Sequence, residues 1–177
     1  MKHISHQTIH LLLFFLSFLC IMSLQGSIWM QLFTQAPNPC LWIVALVYCC
    51  FYRNLYEFIF CIYIITLISL EFTNFPFGLF LICNSGIALI LLLIRSRFIL
   101  QKPIYLAIIT LFLTFIFPLL HFIFSHLFEP NPIQTIEHFT WIISALITSL
   151  LSITIFHFFI WFDAIFNKKL PVEVRTF

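Results

Sequence analysis

The chain has 177 residues, of which 63% are hydrophobic and 8% are charged, and its formal net charge is +2. Soluble proteins carry about 25% charged residues, so this composition excludes an ordinary soluble domain. The small net charge, without a long basic run, argues against a nucleic-acid partner. Apolar runs of nearly bilayer-crossing length recur, and they lack the alternation of barrel strands. The sequence therefore predicts an all-α integral membrane protein.

Six apolar segments are predicted to form a single helical membrane domain over residues 1–177. Their approximate bounds are 9–30, 39–52, 55–70, 77–94, 104–128 and 139–162. The second segment is short, and Arg53 and Glu57 follow it closely, so an arrangement of five spans is the alternative. We expect Arg53 to pair with Glu57 one helical turn later. Pro118 is expected to kink the fifth span.

Basic residues mark the cytoplasmic loops of membrane proteins, and here they segregate to one side of the six-span arrangement. That side holds Lys2, Arg53, Arg95, Arg97, Lys102, Lys168, Lys169 and Arg175. The other side holds Glu71, Glu129 and Glu137. The pattern predicts that both termini are cytoplasmic. The five-span alternative misplaces only Lys2, so charge favours six spans without excluding five.

A short turn with Pro76 and Gly78 separates the third predicted span from the fourth. A connection this brief predicts a tight hairpin between antiparallel helices. It places Glu71 on the outer side and Arg95 and Arg97 on the cytoplasmic side.

Ionisable groups inside a membrane are functional candidates by default. His121 and His157 fall within the fifth and sixth predicted spans, where we expect neutral histidines that are hydrogen-bonded between helices. A proton relay or a substrate ligand is the alternative for both. Asp163, close to Lys168 and Lys169, is expected to be an interfacial anchor. His3, His6 and His10 share a helical face without an acidic or cysteine partner, and no metal site is predicted.

The sequence carries no pattern typical of catalysis or cofactor binding. It contains no GxSG or HExxH motif, no paired aspartates and no P-loop. Five of the six cysteines lie in apolar runs without CxxC spacing, which favours packing residues over disulfides. We therefore predict that the protein is not an enzyme, and we expect no catalytic residue and no cofactor.

The segment 37–97 has a recognisable order of residues. A proline precedes a short apolar span that ends in an aromatic residue and a base, in the run PNPCLWIVALVYCCFYR, and an acidic residue, a glycine and two arginines follow. This order is similar to that of MreD, the family of rod shape-determining membrane proteins of bacteria. The matching positions are Pro39, Tyr48, Arg53, Glu71, Gly78, Arg95 and Arg97. The glycine-rich third span of the family is here without glycine, and the usual aspartate of the family appears as Glu71, one position closer to the glycine.

The resemblance implies a six-helix fold similar to the substrate-binding subunit of energy-coupling-factor transporters, located in the bacterial inner membrane. It implies a non-enzymatic subunit of the cell-wall elongation complex, which directs peptidoglycan biosynthesis and maintains rod cell shape. Its implied partner is MreC, with RodA, the elongation transpeptidase and MreB in the wider complex, beside membrane lipids. The structural or interaction candidates are Pro39, Tyr48, Arg53, Glu57, Glu71, Pro76, Gly78, Arg95 and Arg97.

Two other functions remain open from the residues. A small-solute-binding transporter subunit would need a polar pocket that opens outward. Candidate residues for that pocket are Gln25, Gln31, Glu71, His121 and Glu129. A subunit or assembly factor of a larger respiratory or secretion complex is the third possibility.

Overall fold

The computed structural model describes residues 2–33, 36–73, 75–97, 102–129 and 138–165. Within these residues the chain is helical and contains no strand. The long helices are α1 (Lys2–Leu24), α2 (Leu41–Tyr52), α3 (Leu55–Leu70), α4 (Phe77–Arg97), α5 (Pro103–Phe128) and α6 (His138–Ile165). Helix α1 continues through a π-helical turn, Gln25–Trp29, into a last short turn, Met30–Leu32. The prediction of an all-helical protein is confirmed.

Four of these helices are long and apolar enough to cross a membrane. They cover Ile9–Trp29, Phe77–Arg97, Pro103–Phe128 and Phe139–Ile165. Helices α2 and α3 are apolar but shorter, with 12 and 16 residues. At about 1.5 Å per residue, α2 is roughly 18 Å long, whereas a hydrocarbon core is about 30 Å thick. The long helices thus establish a helical membrane protein by length and composition.

The helix ends follow from local backbone chemistry. Arg53 and Asn54 are both extended, with ψ near 159° and 157°, and this ends α2 and reverses the chain into α3. Pro103 occupies the first turn of α5, where its missing N–H has no intrahelical acceptor to lose. Helix α5 continues through Pro118 as one element, and the predicted kink there stays a prediction.

Helix α2 is the centre of the bundle. Eleven of its 12 residues are buried, and it packs against α3, α4, α5 and α6. Helix α1 reaches it through Phe14, whose ring stacks on that of Tyr48 with centroids 5.8 Å apart. The sequence segment with the weakest evidence for a membrane span therefore forms the core.

The outer faces of the long helices are apolar. Leu12, Leu93, Phe112 and Leu150 are each more than 60% exposed. A surface of this kind would be unstable in water, and lipid is the environment that covers it. The protein is therefore in contact with membrane lipids.

Candidate functional site

A buried ion pair lies where α2 ends. Arg53 and Asp163 are both 0% exposed, and the Nη2 of Arg53 donates to the Oδ1 of Asp163 at 2.9 Å. Asp163 belongs to the last turns of α6. The bond therefore fixes the carboxyl end of α2 to the carboxyl end of α6.

Tyr48 bonds the second oxygen of the Asp163 carboxylate. One turn before the end of α2, its hydroxyl donates to the Oδ2 of Asp163 at 2.6 Å. The same hydroxyl lies 3.1 Å from the carbonyl oxygen of Phe159 in α6. Both oxygens of the Asp163 carboxylate are thus bonded to α2, as a buried charge requires.

His10 adds α1 to the site. Its Nδ1 lies 3.2 Å from the Nη1 of Arg53, and its Nε2 lies 3.4 Å from the Oδ1 of Asp163. Because a guanidinium has only donors, the Nδ1 must accept the hydrogen bond from Arg53. His10 thus lies between the two charged side chains and contacts both of them.

Aromatic side chains enclose the charges. The guanidinium carbon of Arg53 lies 5.0 Å from the ring centroid of Phe14, a cation–π contact. Burial by itself lowers the pKa of Arg53, but the negative charge of Asp163 outweighs it and the pKa rises above its usual value. Arg53 therefore stays charged, and together with Asp163 it forms a neutral unit.

Arg95 brings α4 to the same end of the bundle. Its Nη1 donates to the backbone carbonyl oxygen of Arg53 at 3.1 Å, which satisfies an acceptor at the open end of α2. The Arg53 cluster is hereafter the set Tyr48, Arg53, Asp163, His10 and Arg95. It joins α1, α2, α4 and α6. The charges of Arg53 and Asp163 are enclosed, whereas Arg95 is half-buried. The bonds of the cluster hold these four helices together.

The structure brings three of the sequence-predicted residues together and leaves the others apart. Tyr48, Arg53 and Arg95 belong to the Arg53 cluster. Pro39 is buried before α2, Glu57 is half-buried in the first turn of α3, and Arg97 is exposed. At the opposite end, Glu71 and Pro76 are exposed, and the Pro76 carbonyl accepts the N–H of Phe80.

Gly78 is not required by the backbone at its position. It is exposed in the first turn of α4, and an added Cβ would meet nothing within 4 Å. A role of this glycine as a hairpin hinge therefore has no steric basis. Its part in a partner contact stays a prediction.

Two expectations about charges are wrong. We expected Arg53 to pair with Glu57, but its terminal nitrogens bond to Asp163 and His10. We expected Asp163 to be an interfacial anchor, but it is fully buried. Spacing along a helix identifies neighbours only within that helix, and Asp163 is 110 positions from Arg53. A signal did exist, because Asp163 is the only aspartate of the chain and lies on the side where the basic residues gather.

The histidines divide into three environments. His10 was grouped with His3 and His6 on one helical face, and it is 4% exposed in the Arg53 cluster. His121 is buried as expected, with its ring 4.6 Å from that of Phe75, but its Nε2 has no hydrogen-bond partner among the described residues. His157 is exposed and bonds the Ile153 carbonyl of its own helix, rather than a neighbouring helix.

Comparison with protein-family models, with curated proteins and with solved structures finds no significant match to this chain.

Proposed function

We propose that this chain is a non-enzymatic scaffold subunit of the bacterial cell-wall elongation complex. It resides in the inner membrane as a six-span bundle with both termini cytoplasmic and supports rod shape by holding partner membrane proteins. MreC is the direct partner, and RodA, the elongation transpeptidase and MreB belong to the wider complex.

The observation that carries the proposal is the meeting of Tyr48, Arg53 and Arg95. These three residues belong to the segment that resembles MreD, and they come from two different helices. Tyr48 and Arg53 share Asp163, and Arg95 bonds the backbone of Arg53. The three motif residues meet in one cluster, and this supports the resemblance. If the likeness were only a chance similarity between apolar sequences, there would be no reason for these residues to lie together in the fold.

The direction of the helices supports six spans. The amino end of α1 and the carboxyl ends of α2, α4 and α6 meet at the Arg53 cluster. Successive helices therefore run in opposite directions, which suits six crossings with both termini on one side. That side also holds Arg95 and Arg97, as cytoplasmic loops prefer.

The distribution of polar groups favours a scaffold over a carrier or an enzyme. The strongest polar interactions point inward and fix four helices relative to one another. The outer faces remain apolar, and apolar faces on a rigid bundle can pack against the membrane helices of partners. Partner recognition would then depend on the shape of those faces, which the Arg53 cluster maintains.

Depletion and co-purification test the function. In the bacterium that encodes the chain, depletion should turn rods into round cells, and the tagged protein should co-purify with an MreC-like partner. Normal rod shape after depletion, with no such partner recovered, would contradict the proposal.

Complementation with variants tests the contribution of the cluster. Asp163→Leu should fail to restore rod shape and should lose the partner, because Arg53 is left buried without its counter-charge. The matched control is Ala164→Leu, which adds the same side chain at the next, exposed position of α6 and should complement fully. Full complementation by Asp163→Leu at normal protein level would show that the Arg53 cluster is not needed for the proposed function.

A further inference from the structure

One face of α6 points away from the rest of the bundle. The helix packs against α2 and α5, and α1 reaches it where the ring of Phe14 meets that of Phe159. The opposite face carries side chains that are all exposed and that recur at helical spacings of three and four positions. This set, hereafter the α6 outer face, is Leu146, Leu150, Thr154, His157 and Trp161.

His157 lies within the hydrocarbon region of a bilayer. The apolar span Phe139–Ile165 has 27 residues, and its middle residue is Ser152. His157 follows Ser152 by five positions, which is roughly 8 Å along the helix axis, whereas half of a hydrocarbon core is about 15 Å. Ionisable side chains at such depth almost always have a polar partner. An exposed histidine at this level therefore calls for one.

One ring nitrogen of His157 is available for that partner. Its Nδ1 lies 2.7 Å from the carbonyl oxygen of Ile153 in its own helix. Because a carbonyl oxygen only accepts, the Nδ1 carries the proton, and in the neutral imidazole the Nε2 is then an acceptor. The Nε2 makes no hydrogen bond to the described residues. Lipid tails have no donor to offer it.

Thr154 provides the complementary group on the same surface. It precedes His157 by three positions, so the two side chains are neighbours on the helix. The hydroxyl of Thr148 donates to a carbonyl of α6, but that of Thr154 makes no bond within the described part of the chain. Ser85, which is exposed on α4, donates to its own helix and needs no partner. The α6 outer face thus combines a free donor with a free acceptor.

We propose that two copies of this chain form a dimer through the α6 outer face, about a two-fold axis normal to the membrane. In parallel helices packed as knobs into holes, each Thr154 lies beside His157 of the second copy. The Oγ1 of Thr154 donates to the Nε2 of that histidine, and symmetry forms the bond twice. A different membrane helix would need its own donor at this depth, whereas a second copy brings one. The dimer goes beyond the scaffold function and does not depend on it.

Energy transfer between two labelled populations of the full chain measures the dimer. Donor-labelled and acceptor-labelled protein are mixed in phosphatidylcholine liposomes and diluted stepwise with lipid. We expect transfer that saturates as a monomer–dimer equilibrium. His157→Leu should raise the dissociation constant about eightfold, the loss expected for two membrane hydrogen bonds of average strength.

His126→Leu is the matched control for that variant. His126 is also exposed, and its Nδ1 also lies close to a carbonyl of its own helix, that of Phe122. It is two positions from the end of α5, where water can serve as its partner. This variant should change the dissociation constant less than twofold. Equal losses from the two histidine variants, or transfer no greater than random encounter predicts, would overturn the proposal.

Two further comparisons locate the contact and identify the bond. Leu150→Trp should weaken the dimer at least tenfold, whereas Leu93→Trp on α4 should change it less than twofold, although the two leucines are 70% and 69% exposed. Thr154→Val should weaken the dimer as much as His157→Leu does, and the double variant should be no weaker than either, because both remove the same bond. Circular dichroism melting verifies that each variant is folded. Equal effects of the two tryptophans, or additive losses in the double variant, would contradict the proposed dimer.

Discussion

Helices α2 and α3 are both short and apolar, but they occupy opposite positions in the bundle. Eleven residues of α2 are buried, so the helix is enclosed on all sides. Helix α3 buries only a stripe, Phe58, Cys61, Ile65, Thr66 and Ser69, and exposes residues such as Tyr56 and Ile59. Lipid is as apolar as a protein core, so hydrophobicity does not decide which of two such helices is central.

The polar residues at the helix ends account for the difference. Helix α2 is preceded by Cys40, whose N–H donates to Thr148 in α6 at 2.9 Å, and is followed by Arg53, which bonds Asp163 in α6. Helix α3 is joined to α4 within its length, where the Nδ2 of Asn84 donates to the Oγ1 of Thr66 at 3.0 Å. Bonds at both ends place α2 in the middle, whereas α3 needs only one packed face.

The largest effect should come from separating the ion pair of α2. Asp163→Leu should lower the free energy of unfolding by about 3–5 kcal/mol, because it leaves a buried guanidinium unpaired. The double variant Arg53→Met with Asp163→Leu should recover most of that loss, because neither charge remains. Equilibrium unfolding in mixed detergent micelles, followed by circular dichroism, measures both. A double variant that is no more stable than Asp163→Leu alone would contradict this account of the pair.

The second test compares matched leucines in the two helices. Leu46→Ala in α2 should cost about 2 kcal/mol, at the lower end of the range for buried leucines, because lipid rather than water is the reference for a membrane helix. Leu67→Ala in α3 is the control. This leucine is 37% exposed, so lipid fills part of the vacated space and the cost should be less than half as large. Chemical unfolding in bicelles gives both values, and equal losses would mean that α2 is not more enclosed than α3.

A smaller effect is expected from the tyrosine of the Arg53 cluster. Tyr48→Phe removes one hydrogen bond to a charged carboxylate and should cost about 1.5 kcal/mol, since Asp163 keeps Arg53. Combined with Asp163→Leu it should cost less than it does alone, because the charged acceptor is gone and the hydroxyl keeps the weaker bond to the Phe159 carbonyl. The measurement is a double-mutant cycle on unfolding free energies, and additive losses would argue against the bond.

The smallest effect should appear at the contact between α3 and α4. Thr66→Val removes the acceptor of the Asn84 amide and should cost about 0.6 kcal/mol, the average for a hydrogen bond between membrane helices. Ser85→Ala, at an exposed position that bonds its own helix, should cost less. Differential melting in one detergent can rank the two variants. If Thr66→Val lowered the stability as much as Asp163→Leu does, the polar bonds of α3 would be as important as those at the end of α2, which would contradict the comparison.

The helical segments could be predicted from the sequence because apolar runs and helix-breaking residues are local signals. The observed helices begin and end within a few residues of the predicted spans, apart from the earlier start of α1 at Lys2. Pro103 marked the start of α5, and Arg53 and Glu57 marked the break between α2 and α3. These signals depend on a few neighbouring positions and need no knowledge of packing.

The candidate site could be predicted only in part. Tyr48, Arg53 and Arg95 were singled out by the order of residues in segment 37–97. Asp163 and His10 were missed as partners, because which helices meet is decided by the packing of the bundle. Of the residues predicted for an outward polar pocket, Gln25 lines the cavity of about 370 Å³ at the amino end of α2, whereas Gln31, Glu71, His121 and Glu129 do not.

The distance along the chain between Arg53 and Asp163 has a consequence for biosynthesis. Ribosomes add about 5–20 residues per second, so the 110 positions that separate the two residues take roughly 5–20 s to translate. During that interval α2 is a short segment with an uncompensated arginine at its end, and the membrane–water interface is where such a charge resides at low cost. Its final location becomes available once α6 has been inserted. The middle of this bundle is therefore the last part to assemble, and a nascent chain that stops before α6 leaves Arg53 without its carboxylate partner.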